Sequence, residues 1–327
     1  MSPTVTQERA ASGRASDRHE KFERLLESAK ALPKLSVAVA HPCDQASLGA
    51  ALEAASIGLI QPILVGPAHK IAACASSLNA DLSGLEIVEA VHSHHAAEKA
   101  VECVKTGRAE ALMKGSLHTD ELMGAVVSRQ GGLRTERRIS HCFVMDVPGH
   151  DRALIVTDAA INIAPTLNEK RDITQNAIDL AHALGAKEVK VAILSAMETV
   201  NADVPSTIDA AALCKMADRG QIVGGILDGP LALDNAISVG AAKVKNISSP
   251  VAGAANVLVV PDLEAGNILA KSLTFLAGAD AAGIVLGAKV PIILTSRADS
   301  RTTRLASCAV ASLLAHARRA TLQAVRS

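Results

Sequence analysis

Short apolar runs alternate along the chain with longer stretches in which apolar residues recur at helical spacing. Most of the short runs are continuous instead of alternating with polar residues, a pattern typical of strands covered on both faces. The predicted strands are residues 35–40, 62–65, 85–91, 109–113, 142–146, 153–157, 189–194, 222–227, 257–260, 283–286 and 290–294. The predicted helices are residues 20–31, 46–58, 94–106, 118–128, 168–184, 206–219, 263–277 and 302–319.

This repeated strand–helix order predicts an α/β protein with a mostly parallel sheet. In such sheets, ligands bind at the carboxyl ends of the strands and against helix N-termini. The polar residues that directly follow each strand are therefore the first candidates for chemistry.

The amino-acid composition argues against a nucleic acid as the partner. Lys plus Arg and Asp plus Glu number 33 each in 327 residues, so no excess of positive charge favours a polyanion such as DNA. The aromatic residues are Phe22, Phe143 and Phe275, which leaves no surface for stacking bases. We therefore expect no nucleic-acid partner.

The six cysteines form no C-x-x-C pair, and reduced, separate thiols are the expectation for a cytoplasmic protein. The first 18 residues are polar, with no apolar signal segment, and we expect a disordered tail. No apolar run is long enough to predict a membrane span.

The most informative loop follows the predicted strand 290–294. Ser296, Arg297 and Asp299 come directly before a long apolar helix, so a hydroxyl, a guanidinium and a carboxylate would face a helix N-terminus. Such a group suits a phosphate. The alternative is that Asp299 or Ser300 caps the helix and Arg297 is a surface charge.

Further small polar loops adjoin other predicted strands. Their candidate residues are Lys114, Ser116, Asp228, Ser249, Gly253, Asp262 and Asn267. Taken singly, each loop is also explained as a turn or a helix cap. Together they favour one shared cleft.

Several well-known site patterns are absent, including the P-loop, the dinucleotide-binding glycine motif and the G-x-S-x-G elbow. His94 and Glu98 would share a helix face, as a metal site requires. A solvated helix start explains them better, and we expect no metal.

The loops together resemble the phosphate acetyltransferase and phosphate butyryltransferase family, in order along nearly the whole chain. The matching segments are 114–116 (KGS), 132–135 (GLRT), 140–141 (SH), 226–230 (ILDGP), 249–253 (SPVAG), 261–267 (PDLEAGN) and 296–297 (SR). The close spacing of SPVAG and PDLEAGN is the most specific part of the resemblance.

The resemblance implies a fold like that of isocitrate and isopropylmalate dehydrogenases, with a cleft between two α/β domains. Residues 19–147 plus 298–327 would form one domain and 148–297 the other. It also implies a homodimer without a cofactor that converts acyl-CoA and phosphate into acyl phosphate and CoA, with coenzyme A as a substrate.

Residue roles follow the same resemblance. Arg297 would hold the phosphoryl oxygens, and Ser296 would stabilise the developing oxyanion. In the acetyl branch an Asp beyond this pair is the base for the CoA thiol, but Thr303 stands here. Asp299 is the nearest carboxylate and takes that role in our hypothesis.

The acyl preference stays open at this point. Met123 stands where the acetyl branch has a basic residue. The sequence around Arg134, which is a candidate for anion contact, resembles the butyryl branch more than the acetyl branch. We expect a phosphate acetyltransferase, with a phosphate butyryltransferase as the alternative. A protein that binds CoA or acyl phosphate without catalysis and a metal-dependent dehydrogenase of the same fold are the rival classes.

Overall fold

The structure is a computed structural model that describes residues 20–129, 132–295 and 299–326. The predicted tail 1–18 and the candidate residues Ser296 and Arg297 lie outside the described residues.

The described chain alternates strands and helices from end to end. The strands are β1 (Leu35–Ala40), β2 (Ile60–Gly66), β3 (Glu86–Glu89), β4 (Ala111–Lys114), β5 (Ser140–Asp146), β6 (Leu154–Thr157), β7 (Lys190–Leu194), β8 (Ile226–Leu231), β9 (Val257–Val259), β10 (Asp280–Leu286) and β11 (Ile292–Ile293). The helices are α1 (Glu20–Lys30), α2 (Gln45–Ser56), α3 (Ala68–Ser77), α4 (Ser93–Lys105), α5 (Thr119–Val127), α6 (Leu167–Ala183), α7 (Pro205–Asp218), α8 (Leu233–Ile237), α9 (Val239–Val244), α10 (Leu263–Leu276) and α11 (Arg301–Arg326).

One sheet contains all the described strands, in the order β3-β2-β1-β4-β11-β10-β5-β6-β9-β7-β8. Strands β3, β2, β1, β4 and β11 run parallel to one another, and so do β6, β9, β7 and β8. The pairings of β11 with β10, β10 with β5 and β5 with β6 are antiparallel. The two parallel groups therefore point in opposite directions. Their carboxyl ends lie at opposite edges of the sheet, where an edge means the side formed by the strand ends and not an outer strand.

The predicted α/β class with a mostly parallel sheet is confirmed, and every predicted strand overlaps an observed one. The boundaries of 222–227 were wrong, because β8 begins only at Ile226. Gly224 has a φ of +82°, and the Val223 backbone bonds the side chain of Gln175 instead of a neighbouring strand. Helices α3, α8 and α9 were not predicted.

The two faces of the sheet are covered differently. On one face a single apolar cluster runs under α1, α2, α6, α7 and α11. On the other face two separate clusters lie under α4 with α5 and under α8 with α10. Phe143 packs against the second of these clusters and Leu294 against the first, and both remain partly exposed. The apolar packing on this face is therefore divided between α5 and α10.

The chain reverses its winding direction between β1 and β4. Helix α2 follows β1 on the face shared with α11, and α4 returns on the opposite face to β4, which pairs with β1 on the side away from β2. In open α/β sheets this switch point leaves a crevice at the carboxyl ends of the strands, where ligands bind. The fold therefore directs attention to residues after β1 and β4.

Strands from both predicted domains belong to the same sheet, since β11 of the segment 148–297 pairs with β4. The division into two domains stays a prediction. Within the described ranges, no helix has both the length and the apolar character needed to cross a bilayer.

Candidate functional site

The carboxyl ends of β1, β4 and β11 lie side by side at one edge of the sheet. Ala40 pairs with Lys114, and Met113 pairs with Ile293. This register sets Lys114 beside the chain that leaves β11 toward Thr295. The structure thus brings two of the predicted loops, after β4 and after β11, to the switch point.

Gly115 allows β4 to continue close against β1. Its N–H donates to the Ala40 carbonyl at 2.9 Å, and a Cβ at this position would lie 2.3 Å from that oxygen and 2.5 Å from the His41 carbonyl oxygen. Such distances do not occur for a real Cβ, so only glycine fits without a backbone shift.

His41 and Ser116 form a polar pair across the same gap. The Nδ1 atom of His41 lies 2.9 Å from Ser116 Oγ, and that hydroxyl donates to the His41 carbonyl oxygen at 2.8 Å. His41 has a φ of +56°, a conformation that is uncommon for residues other than glycine. Partial burial and the nearby Lys70 lower the pKa of its imidazole, against smaller opposing effects of Glu121 and Asp44.

Two cationic side chains converge on a hollow at this edge. Its lining residues are Asp44, Ala46, Ser47, Lys114, Gly115, Thr295 and Arg304. Asp44 Oδ1 accepts from Ser47 N at 2.7 Å and so caps α2, while Arg304 Nη1 donates to the Asp299 carbonyl at 3.0 Å. An ammonium and a guanidinium in one hollow, beside hydroxyls and a helix N-terminus, have the chemistry that binds a phosphate. The hollow has a volume of about 10 Å³, so it must widen to admit one.

Helix α11 begins at this hollow. Ser300 is its cap, because Ser300 Oγ accepts from Thr303 N at 3.1 Å. Thr303, which stands where the acetyl branch has a carboxylate, is only 7% exposed, and its hydroxyl oxygen lies 3.2 Å from Ser300 Oγ. Of the two predicted capping residues it is Ser300 that caps α11.

Asp262, Asn267 and Asp228 belong to the other parallel group. Asp262 caps α10 by accepting from Ala265 N at 2.8 Å, which is the structural alternative stated for it. Asn267 Nδ2 donates to the Ala159 carbonyl at 3.3 Å. Asp228 was expected after its strand but lies inside β8, where Oδ1 accepts from Gly229 N.

Ser249 and Gly253 shape the turn before β9. Ser249 Oγ accepts from the N–H groups of Val251 and Ala252. Gly253 has a φ of +76°, and a Cβ there would lie 2.6 Å from Val239 Cα. Both observations describe local packing, so a role in ligand binding stays a prediction for these residues.

Arg134 is exposed and forms an isolated β-bridge with Ala288, just beyond the carboxyl end of β10. Because β10 is antiparallel to β11, this place is at the edge opposite Thr295. The backbone of Arg134 is therefore not part of the Lys114 hollow. The predicted polar loops divide between the two edges of the sheet, and the shared cleft expected for them stays a prediction.

The cysteines are separate from one another, as expected. All six cysteines are free, and burial raises the pKa of the Cys43 thiol, close to β1, to about 11. Such a thiol is protonated at neutral pH and is a poor nucleophile.

No metal site is evident in the part of the chain that the structure describes. His92 accepts from His95 N as the cap of α4, and His94 pairs with Glu121 at 2.9 Å. The helix start expected for this histidine cluster is confirmed.

Sequence reasoning missed His41 and Arg304. His41 is a lone polar residue after β1, and only the pairing of β1 with β4 gives it a partner. Arg304 lies in the first turn of α11, where the helix dipole disfavours a cation. An arginine at that place was the available signal of a candidate anion site.

Comparisons with known proteins agree on one family. A model of the family described as "Phosphate acetyl/butaryl transferase" matches residues 91–312. A phosphate acetyltransferase of Rhizobium meliloti is 65% identical over 300 residues, which cover 92% of this chain and 95% of the relative. A phosphate butyryltransferase of Clostridium acetobutylicum is 42% identical over 294 residues, which cover 90% of this chain and 98% of the relative.

Solved structures give the same result. A branched-chain phosphotransacylase from Enterococcus faecalis V583 has a TM-score of 0.76 at 31% identity, covering 86% of this chain and 99% of that one. A 4-hydroxythreonine-4-phosphate dehydrogenase from Burkholderia phymatum has a TM-score of 0.53 at 11% identity, covering 86% and 99%. The latter likeness confirms the predicted dehydrogenase-like fold. By its sequence and its fold, the chain belongs to the phosphate acetyl/butyryl transferase family.

Proposed function

We propose that this protein is a phosphate acetyltransferase, which converts acetyl-CoA and phosphate into acetyl phosphate and CoA. The observation that carries the proposal is the hollow between β4 and β11, where Lys114 and Arg304 converge beside the start of α11. The 65% identity to a phosphate acetyltransferase over 92% of the chain supports the same reaction.

Phosphate binds in the Lys114 hollow in this proposal. Lys114 and Arg304 neutralise its charge, and the positive end of the α11 dipole adds to the attraction. Placing the nucleophilic oxygen next to a bound thioester contributes to the rate by removing the entropy cost of encounter.

The Ser296–Arg297 pair directly follows Thr295, which lines the hollow. In this proposal Arg297 contacts the phosphoryl oxygens and Ser296 stabilises the oxyanion of the tetrahedral intermediate. Asp299 is the candidate base for the CoA thiol. Transfer is direct within a ternary complex, without an acyl-cysteine. Burial raises the pKa of the Cys43 thiol, which follows β1, to about 11 and disfavours it as a nucleophile.

The acetyl group is the proposed acyl substrate, and butyryl is the alternative. The acetyltransferase relative is 65% identical and the butyryltransferase relative 42% identical, which favours acetyl. The sequence of the motif at residues 132–135 favours a butyryl substrate. We also propose that the protein is a cytoplasmic homodimer and that it needs neither a cofactor nor a metal.

The test uses the purified protein with phosphate and a series of acyl-CoAs, following the release of free thiol. The proposal predicts phosphate-dependent thiol release that is fastest with acetyl-CoA. Fastest release with butyryl-CoA would assign the alternative substrate. Tight binding of CoA with no phosphate-dependent release would overturn the enzymatic assignment.

Variants test the residue roles separately. Arg297→Ala should lower kcat/KM by about 10²–10³ if this side chain contacts developing charge. A loss below about threefold, well under that range, would remove Arg297 from the site. Ping-pong kinetics, or a labelled acyl group trapped on a cysteine, would refute direct transfer.

A further inference from the structure

The crevice between β1 and β4 contains a histidine that the proposed mechanism leaves unused. His41 N donates to the Val65 carbonyl at 2.7 Å, and the His41 carbonyl accepts from Ser116 N at 2.9 Å. These bonds hold the residue between the carboxyl ends of β2 and β4 in a left-handed backbone conformation. Strained residues over-determined by their surroundings are concentrated at functional sites.

The bonds to Ser116 also select one tautomer of the imidazole. The single hydroxyl proton of Ser116 is directed to the His41 carbonyl, so Ser116 Oγ accepts from the Nδ1–H group. The Nε2 atom then carries the lone pair. Within the described chain, Nε2 makes no hydrogen bond, and it is not among the buried atoms without a partner. An oriented lone pair open to its surroundings is what a general base requires.

Charged side chains from several helices surround the imidazole ring of His41. Lys70 of α3 lies on one side, and Glu121 of α5 and Asp44 at the start of α2 on others. Cys43 and Lys114 are the other titratable groups close to it along β1 and β4. Burial and Lys70 lower the pKa of the imidazole below its ordinary value of 6.5, so His41 is neutral at neutral pH.

We propose that His41 is the base that takes the proton from the CoA thiol in the direction that forms acetyl-CoA. Nε2 removes the proton from sulfur, the sulfur forms a bond to the acetyl carbon, and the bond between that carbon and the phosphate oxygen breaks. Phosphate leaves with the bond's electron pair, and the imidazolium returns its proton to phosphate or water.

This inference rests on the proposed function, and it supplies the base that Thr303 cannot provide. His41 and Asp299 are alternative candidates for the base that deprotonates the CoA thiol. Substituting the true base should abolish the acidic limb of the pH profile, and substituting the other residue should not. The thiol of CoA has an ordinary pKa of about 8.5, so it is mostly protonated at neutral pH. A neutral imidazole that accepts this proton as sulfur attacks lowers the barrier to transfer.

The experiment measures acetyl-CoA formation from acetyl phosphate and CoA by the full-length protein across pH 5 to 9. His41→Asn is the test variant, because asparagine tolerates a positive φ and can still bond Ser116. His69→Asn, an exposed residue of α3, is the matched control. Thermal unfolding of each variant verifies folding.

The wild-type kcat/KM should fall on the acidic side with a pKa below 6.5, as the lowered pKa of His41 requires. His41→Asn should lower kcat/KM by about 10²–10⁴ and abolish this acidic limb. Added imidazole should restore part of the rate, which a purely structural role would not permit. His69→Asn should match the wild type.

Two results would overturn the inference: a folded His41→Asn protein that keeps the acidic limb, or a loss below about threefold, far under the usual value of a general base. An inactive wild type would instead defeat the proposed function. In a folded but inactive variant, failure of imidazole rescue together with loss of the limb in Asp299→Asn would assign the base to Asp299.

Discussion

The Nδ1 atom of His41 lies 2.9 Å from the hydroxyl oxygen of Ser116, and this contact joins the carboxyl ends of β1 and β4. Winding reverses between these two strands, so the helices that follow β1 and precede β4 lie on opposite faces of the sheet. The polar groups at this place are held by backbone geometry: Gly115 permits the close approach, and the His41 carbonyl accepts from both the N–H and the hydroxyl of Ser116.

Arg304→Ala tests the assignment of the phosphate hollow. A hydrogen bond to a charged group contributes about 1.5–3 kcal/mol, which corresponds to roughly a tenfold to hundredfold rise in KM for phosphate. Steady-state kinetics at saturating acetyl-CoA measure this effect.

Arg301→Ala is the matched control, since Arg301 lies in the same turn of α11 but pairs with Glu53. It should leave KM for phosphate unchanged. Equal effects of the two substitutions would show that general charge, and not the hollow, governs phosphate binding.

Gly115→Ala tests the close approach of β4 to β1. The new Cβ would meet two carbonyl oxygens, at 2.3 Å and 2.5 Å, so the backbone must move. We expect the free energy of unfolding to fall by at least about 1–3 kcal/mol, the usual range for overpacking. Denaturant titration measures it.

Gly124→Ala provides the comparison, because no atom lies within 4 Å of a Cβ at this position in α5. A helix-interior Gly→Ala change should be neutral or stabilise by up to about 1 kcal/mol. If Gly115→Ala were as well tolerated as Gly124→Ala, the steric account of the switch point would be wrong.

Ser300→Ala tests which residue caps α11. Loss of the bond from Thr303 N to Ser300 Oγ should cost about 1 kcal/mol of unfolding free energy. Asp299→Asn should cost less than Ser300→Ala, because Thr303 N bonds Ser300 and not Asp299. A larger stability loss for Asp299→Asn than for Ser300→Ala would reverse the two assignments.

The buried His141 should make the protein acid-sensitive. Burial lowers the pKa of its imidazole to about 4, with Asp158 opposing the shift. The unfolded chain binds a proton at the ordinary pKa of 6.5, so between pH 6.5 and about 4 the unfolded state holds more protons than the native state. The stability contributed by neutral His141 is therefore complete above pH 6.5 and is lost as the pH falls toward the folded value.

Urea midpoints of the wild type should accordingly decrease between pH 6.5 and 4.5. His141→Leu removes the titrating group and should flatten this decrease, although it also changes packing against Phe143, whose ring centroid lies 4.3 Å away. The exposed His69→Gln should keep the wild-type slope. An unchanged slope in His141→Leu would place the acid sensitivity in other groups.

The sequence predicted the sheet well because most of its strands, such as β1, β4 and β6, are continuous apolar runs that are almost wholly buried. The strand 35–40 matches β1 residue for residue. The failure at 222–227 has a local cause, since Ile222 is buried in a turn and its apolar character imitates a strand. Glycines with positive φ on either side of it, Gly220 and Gly224, determine the backbone.

The candidate site was only partly predictable. The rule that ligands bind after strands selected Lys114 and Ser116, which the structure places at the switch point. It also selected Asp262 and Asn267, because a sequence does not reveal that β10 and β5 reverse the direction of half of the sheet. His41 and Arg304 depend on contacts between segments far apart in the chain, which no local pattern encodes.

The most direct test of the phosphate site is an anomalous difference map from crystals grown with CoA and arsenate, an analogue of phosphate that carries an anomalous scatterer. The account predicts an arsenic peak within hydrogen-bond reach of Lys114 Nζ and the Arg304 guanidinium, in front of α11. A peak at the opposite edge of the sheet, near Asp262 and Asn267, with none in the Lys114 hollow, would contradict it.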